Sequence, residues 1–381
     1  MKIKVITGRY PSLNNPYNHM FVHTRNMEYL NYGHSVEVFV PSKNKYTYNI
    51  DGIKVNYTTS KEIIKILDDK CCVIIHLLIH SLIDEIDGGV IYQHIIKNDI
   101  KTLFFIHGIE VQKILKSRAD DIKFSQPKSI IRFLYRDLYL IHKMKNTIQD
   151  ILKNTKNIKF VSVSKWMQKE AENTLGVKFE NKIFIIPNGI DTNLFYYQEN
   201  LYNNKYKILT IRPLILKGKY AVDLSIDTMK YITNYNVSLN IYGKGNEYNN
   251  IVKYIRDLNL SNKINLHNSF IEHKDIPKIH KQHGVYYAVT KMDAQGVSMC
   301  EAMSSGLPTI SFDVCAISEF ITNNINGLLI SPYDLKDAAN KIDELISNKN
   351  LFLRLSENAR KSIEKIDIKI TTKKELELLN V

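Results

Sequence analysis

The sequence has few cysteines and no long apolar segment, and both absences exclude classes of protein. Only four cysteines occur among 381 residues, and no two of them have the Cys-x-x-Cys spacing of redox or zinc sites, so a reduced compartment is predicted. No apolar run approaches the roughly 18 residues that a membrane-spanning helix needs. No basic leader with an apolar stretch precedes the first strand pattern, Lys2–Thr7. A soluble protein of cytoplasmic type is therefore expected.

Several motifs for binding phosphates or metals are also missing. The sequence contains neither Gly-x4-Gly-Lys-Ser/Thr nor Gly-x-Gly-x-x-Gly, which argues against an NTPase or a standard nicotinamide enzyme. It has no Asp-x-Asp triplet for a divalent metal. The histidines at 76 and 80, and those at 267, 273, 280 and 283, are interpreted as core and surface residues rather than as metal ligands. We predict no metal and no cofactor. The acid-x-acid triplets are Glu85-x-Asp87, Glu170-x-Glu172 and Glu375-x-Glu377.

The composition is that of a basic globular protein. Hydrophobic residues make up 44% of the chain and charged residues 24%, enough for two sizeable cores. The formal net charge of +13 indicates an anionic partner, which could be a phosphorylated small molecule, an anionic membrane or a nucleic acid. Composition alone does not choose among these three.

Short β-branched or aromatic runs alternate with stretches of helical spacing along the chain. This alternation predicts an α/β fold with parallel sheets covered by helices on both faces. The series restarts after the polar stretch 196–206, where we place a linker. We predict two Rossmann-like doubly wound domains facing a central cleft, 1–198 and 199–365, with a terminal helix in 366–381 that either returns to the first domain or caps the second. The predicted strands are Ile3–Ile6, Val36–Val40, Val73–Ile75, Leu103–Ile106, Phe160–Val163, Ile183–Ile186, Ile208–Ile211, Val237–Ile241, Ile264–Leu266, Val285–Val289, Thr309–Phe312 and Leu328–Ile330.

The most informative motif lies at residues 291–308. It follows the predicted strand Val285–Val289, and Gly296 opens a helix that ends near Gly306, with Pro308 beyond it. Free N–H groups at the start of that helix would form an anion site suited to a diphosphate. Asp293 precedes the helix, and Glu301 lies about 6 Å further along its axis than Val297, at about 1.5 Å per residue. The two acids are thus placed to meet groups at opposite ends of a pyrophosphate, but the motif alone fits an ordinary strand–turn–helix with two solvated acids equally well.

A second basic motif, Arg212-x4-Lys217, directly follows the strand Ile208–Ile211. A guanidinium fork and an ammonium group are both suited to phosphate oxygens. On its own, however, the motif is better explained as two solvated cations in a basic protein.

Together these motifs resemble those of retaining GT-B glycosyltransferases of family 4. The resemblance rests on Arg212-x4-Lys217 and on an acid-x7-acid stretch, Asp293 to Glu301, that ends in Glu-Ala-Met-x-x-Gly-x-Pro. It covers almost the whole chain. Further matches in the second domain are Ile241–Gly245 and Ser318–Ile330. The first-domain matches are individually weaker, and they are Tyr10-Pro-Ser, Phe21-Val, His107-Gly108, Phe160–Lys165 and Ile185–Asp191.

The resemblance implies a metal-independent hexosyltransferase that uses a nucleoside-diphosphate sugar. It implies that Arg212 and Lys217 hold the diphosphate and that Glu301 accepts hydrogen bonds from the ribose. Asp293 and His107 would contact the transferred sugar, and the backbone of Gln295, Gly296 and Val297 would lie beside the sugar and phosphate. Bacterial members of this family commonly build lipopolysaccharide or capsule, so the resemblance also implies a surface-glycan or lipid-linked saccharide acceptor.

Three segments depart from the family pattern. Asp293 stands where glutamate is usual, one methylene shorter. The opening loop, 14–19, lacks the common Gly-Gly, and the segment 313–317 replaces a glycine-rich loop.

Other interpretations stay open at this stage. A nucleotide-sugar epimerase of the same fold would need no acceptor, and a non-catalytic polyanion or nucleic-acid binder would use the positive charge alone. No recognised nucleic-acid module is present, so no nucleic-acid partner is predicted. The stretch 128–145 reads as a basic amphipathic helix, which fits either the inner face of an anionic membrane or an ordinary solvated helix.

Overall fold

A computed structural model describes residues 1–117, 119, 122 and 126–380. The chain divides after Gly189 and after Asp367. Unit 1 consists of Met1–Gly189 together with the terminal segment from Ile368, and unit 2 is Ile190–Asp367. The sequence analysis placed the corresponding divisions at 198 and 365. Val381, at the end of the predicted terminal helix, lies outside the described residues.

The sheet of unit 1 has eight strands in the order β3-β4-β2-β1-β5-β6-β7-β8. All neighbours are parallel except β3 and β4. The central strands are almost continuously apolar because helices cover both faces of the sheet. The strands are β1 (Lys2–Thr7), β2 (Ser35–Pro41), β3 (Tyr46–Ile50), β4 (Ile53–Thr58), β5 (Cys72–His76), β6 (Thr102–Ile106), β7 (Ile158–Ser162) and β8 (Ile183–Ile185).

The hairpin of β3 and β4 was not among the predicted strands. Its two-residue turn is Asp51-Gly52, with φ of 48° and 81°, as a type I′ turn requires. Its tyrosines are partly exposed, so the apolar pattern is weak. The Asp-Gly pair was the local signal that could have identified it.

Helices connect these strands. The amphipathic stretch 128–145 does not form one regular helix, because a π-helical turn, Tyr135–Leu140, joins the helix Pro127–Leu134 to the helix Ile141–Asn154. The helices are α1 (Met20–Asn31), α2 (Ser60–Ile64), α3 (Gly88–Lys97), α4 (Ile114–Ser117), α5 (Pro127–Leu134), α6 (Ile141–Asn154) and α7 (Lys165–Leu175).

Unit 2 contains a six-stranded parallel sheet in the order β11-β10-β9-β12-β13-β14. This is the order of a Rossmann fold, and the connections reverse direction between β9 and β12. The strands are β9 (Lys207–Ile211), β10 (Ser238–Gly243), β11 (Ile264–Asn268), β12 (Val285–Tyr287), β13 (Thr309–Phe312) and β14 (Leu328–Ile330). The helices are α8 (Val222–Thr228), α9 (Tyr248–Asp257), α10 (Ile276–Lys281), α11 (Val297–Ser304), α12 (Ile317–Phe320), α13 (Leu335–Ser347) and α14 (Lys349–Glu364).

The terminal helix, α15 (Ile368–Leu378), packs against α1 within unit 1. Glu375 on α15 is completely buried and accepts hydrogen bonds from Nε of Arg25 at 2.9 and 3.0 Å. The hydroxyl of Tyr29 donates to the same carboxylate. A buried ion pair therefore joins the two ends of the chain.

The predicted α/β class with two Rossmann-like domains is confirmed. Every run predicted as a strand overlaps a strand of the structure. No helix among the described residues is long and apolar enough to cross a membrane.

Candidate functional site

The candidate residues of unit 2 follow two adjacent strands. Arg212 comes directly after β9, and Asp293 lies in the loop after β12. Because β9 and β12 are the strands between which the connections reverse, a crevice opens at their carboxyl ends, where ligands of doubly wound folds bind. The sequence therefore places both residues at the binding edge of the sheet.

Arg212 is held rigidly, with only 6% of its surface exposed. Its Nη1 donates to Oγ of Ser298 at 3.1 Å, and its Nη2 donates to the carbonyl of Ala288 at 3.3 Å. The guanidinium lies 5.2 Å from the ring centroid of Tyr220. Its Nε is buried and has no partner among the described residues. A fixed guanidinium with an uncommitted donor is suited to an anionic ligand.

The loops that follow β9 and β12 are joined by hydrogen bonds. The hydroxyl of Thr290 and the backbone N–H of Lys291 both donate to the carbonyl of Lys219, at 2.8 and 2.7 Å. Lys217 belongs to the first of these loops and is exposed, and it forms no ion pair with any part of the chain that the structure describes. Its ammonium group is thus free to meet an anion.

Asp293 orders the second loop. Its Oδ1 accepts hydrogen bonds from the N–H groups of Gln295 and Gly296 at 3.2 and 2.9 Å. Gly296 has a φ of 78° and precedes α11 directly, a left-handed conformation that glycine adopts without steric cost. The first helical hydrogen bond runs from Cys300 N to Gly296 O. The N–H groups of Val297 and Ser298 come before it and remain available at the helix N-terminus.

Glu301 lies on the second turn of α11 and is largely buried. Its Oε1 is 2.9 Å from Nε2 of His273. Burial disfavours the charged form of His273, but the carboxylates of Glu301 and Asp191 outweigh it, and the pKa of His273 is raised. An edge-to-face contact with Phe195 also holds this ring, with the centroids 5.2 Å apart. Glu301 is therefore an oriented acceptor with one carboxylate oxygen already paired.

His107 lies in unit 1, directly after β6. Its backbone N–H donates to Oε1 of Glu110 at 2.6 Å, and its Nε2 is 3.0 Å from Nδ1 of His76. Burial and the charge of Arg25 both lower the pKa of His107 well below its usual range. The ring is therefore neutral at physiological pH.

Sequence reasoning missed three residues that contact the candidates. Ser298 lies inside the motif at 291–308 and could have been noted there as a polar side chain at a helix N-terminus. Tyr220 and His273 carry no local signal: His273 lies 28 residues before Glu301 in the sequence, and only the fold brings the two together. Among the described residues, no group of three or more His, Cys, Asp or Glu side chains is placed to hold a metal ion.

Comparisons with known proteins bear on this arrangement. A model of the family "Glycosyl transferases group 1" matches residues 197–362. A poly(ribitol-phosphate) alpha-N-acetylglucosaminyltransferase of Staphylococcus aureus (strain COL) is 31% identical over 163 residues, which cover 42% of this chain and 32% of that protein. The match thus spans about a third of the relative's own length.

Two solved structures resemble the entire chain. Sucrose-phosphate synthase from Thermosynechococcus elongatus has a TM-score of 0.73 at 15% identity, over 100% of this chain and 98% of the other. Anabaena Alr3699/HepE in complex with UDP has a TM-score of 0.72 at 14% identity, with 100% of both chains covered. At such low identity the likeness shows the fold.

The fold is therefore that of the GT-B class. Residues 197–362 match the glycosyl transferases group 1 family, and the predicted resemblance to family 4 of the retaining glycosyltransferases is confirmed.

Proposed function

We propose that this chain is a retaining glycosyltransferase that moves a hexose-type sugar from a UDP-sugar to a surface-glycan or lipid-linked saccharide acceptor. One observation carries the proposal. Arg212, exposed Lys217 and the open N-terminus of α11 lie at the point in the sheet of unit 2 where such folds bind ligands. The similar Anabaena structure is a complex with UDP. The Staphylococcus relative, by its name, glycosylates a polyol-phosphate polymer with N-acetylglucosamine.

In this proposal Arg212 and Lys217 bind the diphosphate. As the glycosidic bond breaks, negative charge accumulates on the leaving UDP, and the two cations stabilise it more than they stabilise the intact donor. The N–H groups of Val297 and Ser298 add partial positive charge at the same place. The departing phosphate then accepts the proton of the acceptor hydroxyl, so no separate protein base is assigned.

The remaining candidates bind the two ends of the donor. Glu301 accepts hydrogen bonds from the ribose hydroxyls, and its contact with His273 keeps the carboxylate in place. Asp293 shapes the loop Gln295–Val297 through its Oδ1, which leaves Oδ2 for a sugar hydroxyl. His107 donates a hydrogen bond to the transferred sugar. No metal ion or cofactor is assigned a role.

Thermal unfolding with UDP, GDP, ADP, CDP and dTDP tests the nucleotide site. A ligand at about 100 times its Kd stabilises the folded state by about 2.7 kcal/mol. We expect UDP to raise the Tm of the wild type and to have little effect on Glu301→Ala. Glu272→Ala is the matched control, because this exposed acid lies beside His273 and should leave the UDP shift intact. If none of the five diphosphates raised the Tm of the wild type, the proposal would be contradicted.

Product analysis separates transfer from the epimerase alternative. Incubation with UDP-glucose or UDP-N-acetylglucosamine alone should release UDP slowly and should leave the configuration of the remaining sugar unchanged. A steady conversion of the donor to its epimer, without release of UDP, would establish the alternative instead.

We further propose that unit 1 contacts an anionic membrane through the segment 128–145. Ile131 and Leu138 are large apolar side chains that are 65% and 67% exposed. Ile131 lies on α5 and Leu138 lies in the π-helical turn that follows it, and exposed Lys128 and Arg132 lie near Ile131. Apolar side chains beside cations match the composition of an anionic lipid surface.

Vesicle flotation tests this contact. Full-length protein should float with vesicles of phosphatidylcholine and phosphatidylglycerol and remain unbound with phosphatidylcholine alone. Ile131→Ser/Leu138→Ser should lose binding, whereas Leu353→Ser, which alters a partly exposed leucine of unit 2, should not. Equal binding by the double variant would show that the segment is an ordinary solvated helix.

A further inference from the structure

Two histidine rings meet at the binding edge of the unit 1 sheet. His76 is the last residue of β5, and His107 follows β6, the strand beside it. Nδ1 of His76 lies 3.0 Å from Nε2 of His107, a hydrogen bond between the two rings. His76 is completely buried, whereas His107 is half-buried. Only His107 can therefore contact a ligand, and His76 lies behind it.

The surroundings hold both rings in place. The ring of Phe105 packs against both histidines, with centroids 4.4 Å from His76 and 5.9 Å from His107. Phe21 covers His107 from another side at 4.9 Å. The carboxylate of Glu110 accepts the backbone N–H of His107. Such a cage fixes the position of His107, but it does not determine which ring nitrogen carries the proton.

Each ring carries one proton. Burial and the nearby charge of Arg25 lower the pKa of His76 and that of His107 well below the usual range. Of the two nitrogens that face each other, one must therefore donate and the other accept. The direction of that single hydrogen bond determines the tautomer of both rings.

The second nitrogen of His76 decides the direction. Its Nε2 is buried and has no partner among the described residues. If the proton were on Nε2, a buried N–H would lack an acceptor, and orphaned buried N–H groups are the rarest unsatisfied polar groups in proteins. If the proton is on Nδ1, it lies in the hydrogen bond to His107, and Nε2 carries only a lone pair.

We propose that His76 is a positioning residue whose Nδ1–H donates to Nε2 of His107, so that His107 keeps its own proton on Nδ1. Nδ1 of His107 has no hydrogen-bond partner in the part of the chain that the structure describes. It is therefore a fixed donor, suited to a hydroxyl oxygen and unsuited to a ligand N–H. The identity of the ligand as the transferred sugar rests on the proposed function, but the assignment of the tautomer does not.

Long-range ¹H–¹⁵N correlation NMR on the full-length protein reads the tautomer directly. We expect a protonated Nδ1 and an unprotonated Nε2 for His107 in the absence of any ligand, with signals assigned through the loss of one ring in His107→Gln. A protonated Nε2 of His107 would overturn the proposal. This measurement needs no enzymatic activity, so it is independent of the proposed function.

Substitution of His76 separates positioning from packing. Asparagine places an amide where Nδ1 of histidine lies, whereas glutamine places it where Nε2 lies. With UDP-glucose or UDP-N-acetylglucosamine as substrate, His76→Leu and His76→Gln should lower kcat for UDP release tenfold or more with little change in KM. His76→Asn should recover most of that loss and restore the Nδ1–H tautomer of His107.

The two amide variants control for folding, because both place a polar side chain in the same buried site and should lower Tm similarly. If His76→Asn and His76→Gln lowered kcat to the same extent, in line with their similar loss of Tm, His76 would be a packing residue only. A wild type without any release of UDP would contradict the proposed function, while the NMR result would still decide the tautomer.

Discussion

The two units of this protein hold their candidate residues by different means. In unit 2, Arg212, Lys217, Asp293 and Glu301 belong to two short segments, and the loops that carry them are joined by main-chain contacts. In unit 1, His107 depends on side chains from distant parts of the chain. Arg25 and Glu375 are 350 residues apart and yet form one buried pair, and the guanidinium of Arg25 packs on the ring of Phe105 at 4.7 Å. A site made from local loops leaves a motif in the sequence, whereas a site made from distant side chains does not.

The largest effect should come from the buried ion pair of unit 1. Glu375→Gln leaves the charge of Arg25 buried without a counter-charge, which costs about 3–5 kcal/mol. Urea unfolding followed by circular dichroism should show this loss, while Glu377→Gln, an exposed change on the same helix, should have almost no effect. If Glu375→Gln lowered the free energy of unfolding by less than about 1 kcal/mol, contacts between distant side chains would not be a main source of stability in unit 1.

In unit 2, by contrast, the site should be most sensitive to changes that displace the main chain. A Cβ on Gly243 would lie 1.8 Å from the carbonyl oxygen of Arg212, so Gly243→Ala must displace the main chain at the site. Overpacking of this kind costs about 1–3 kcal/mol, and UDP should bind more weakly as well. Calorimetric titration with UDP checks this, with Ser238→Ala in the same strand as the control. Unchanged affinity would mean that the loop of Arg212 is not held by β10.

Lys217 should affect transfer without affecting stability. It is exposed and unpaired among the described residues, so Lys217→Ala should leave the free energy of unfolding unchanged. Transfer should fall tenfold or more, about 1.4 kcal/mol, if the ammonium group binds the diphosphate. The control is Lys253→Ala, a second exposed lysine of unit 2. Near-normal rates in Lys217→Ala and in Glu301→Ala would remove both from the site.

The smallest effect concerns pH. Because the pKa of His273 is raised in the folded state, its pairing with Glu301 stabilises the protein most below the ordinary histidine pKa of about 6.5, and this stabilisation is lost as pH rises through the raised value. His273→Gln should therefore destabilise unit 2 more at pH 6 than at pH 9, by about 1 kcal/mol or less. If the pair is responsible, the difference should vanish in the background of Glu301→Gln. If His273→Gln destabilised unit 2 equally at both pH values, the ion pair with Glu301 would be excluded as the cause.

Much of the fold was predictable because parallel strands buried on both faces form continuous apolar runs. The central strands of both sheets have this pattern, and each was recognised. The hairpin of β3 and β4 was missed because one of its faces is partly exposed and its tyrosines dilute the apolar signal. The break at Tyr135–Leu140 was missed because the amphipathic pattern continues through the π-helical turn.

By itself, the sequence determined the two α/β sheets, the family resemblance and the order of the motifs after β9 and β12, because strand periodicity and loop motifs are local properties of the chain. Only the tertiary structure decided that His273 pairs with Glu301 and that α15 returns to α1. It also decided that His76 lies behind His107. These contacts join residues far apart in the chain, and their partners are selected by packing, which no local pattern records.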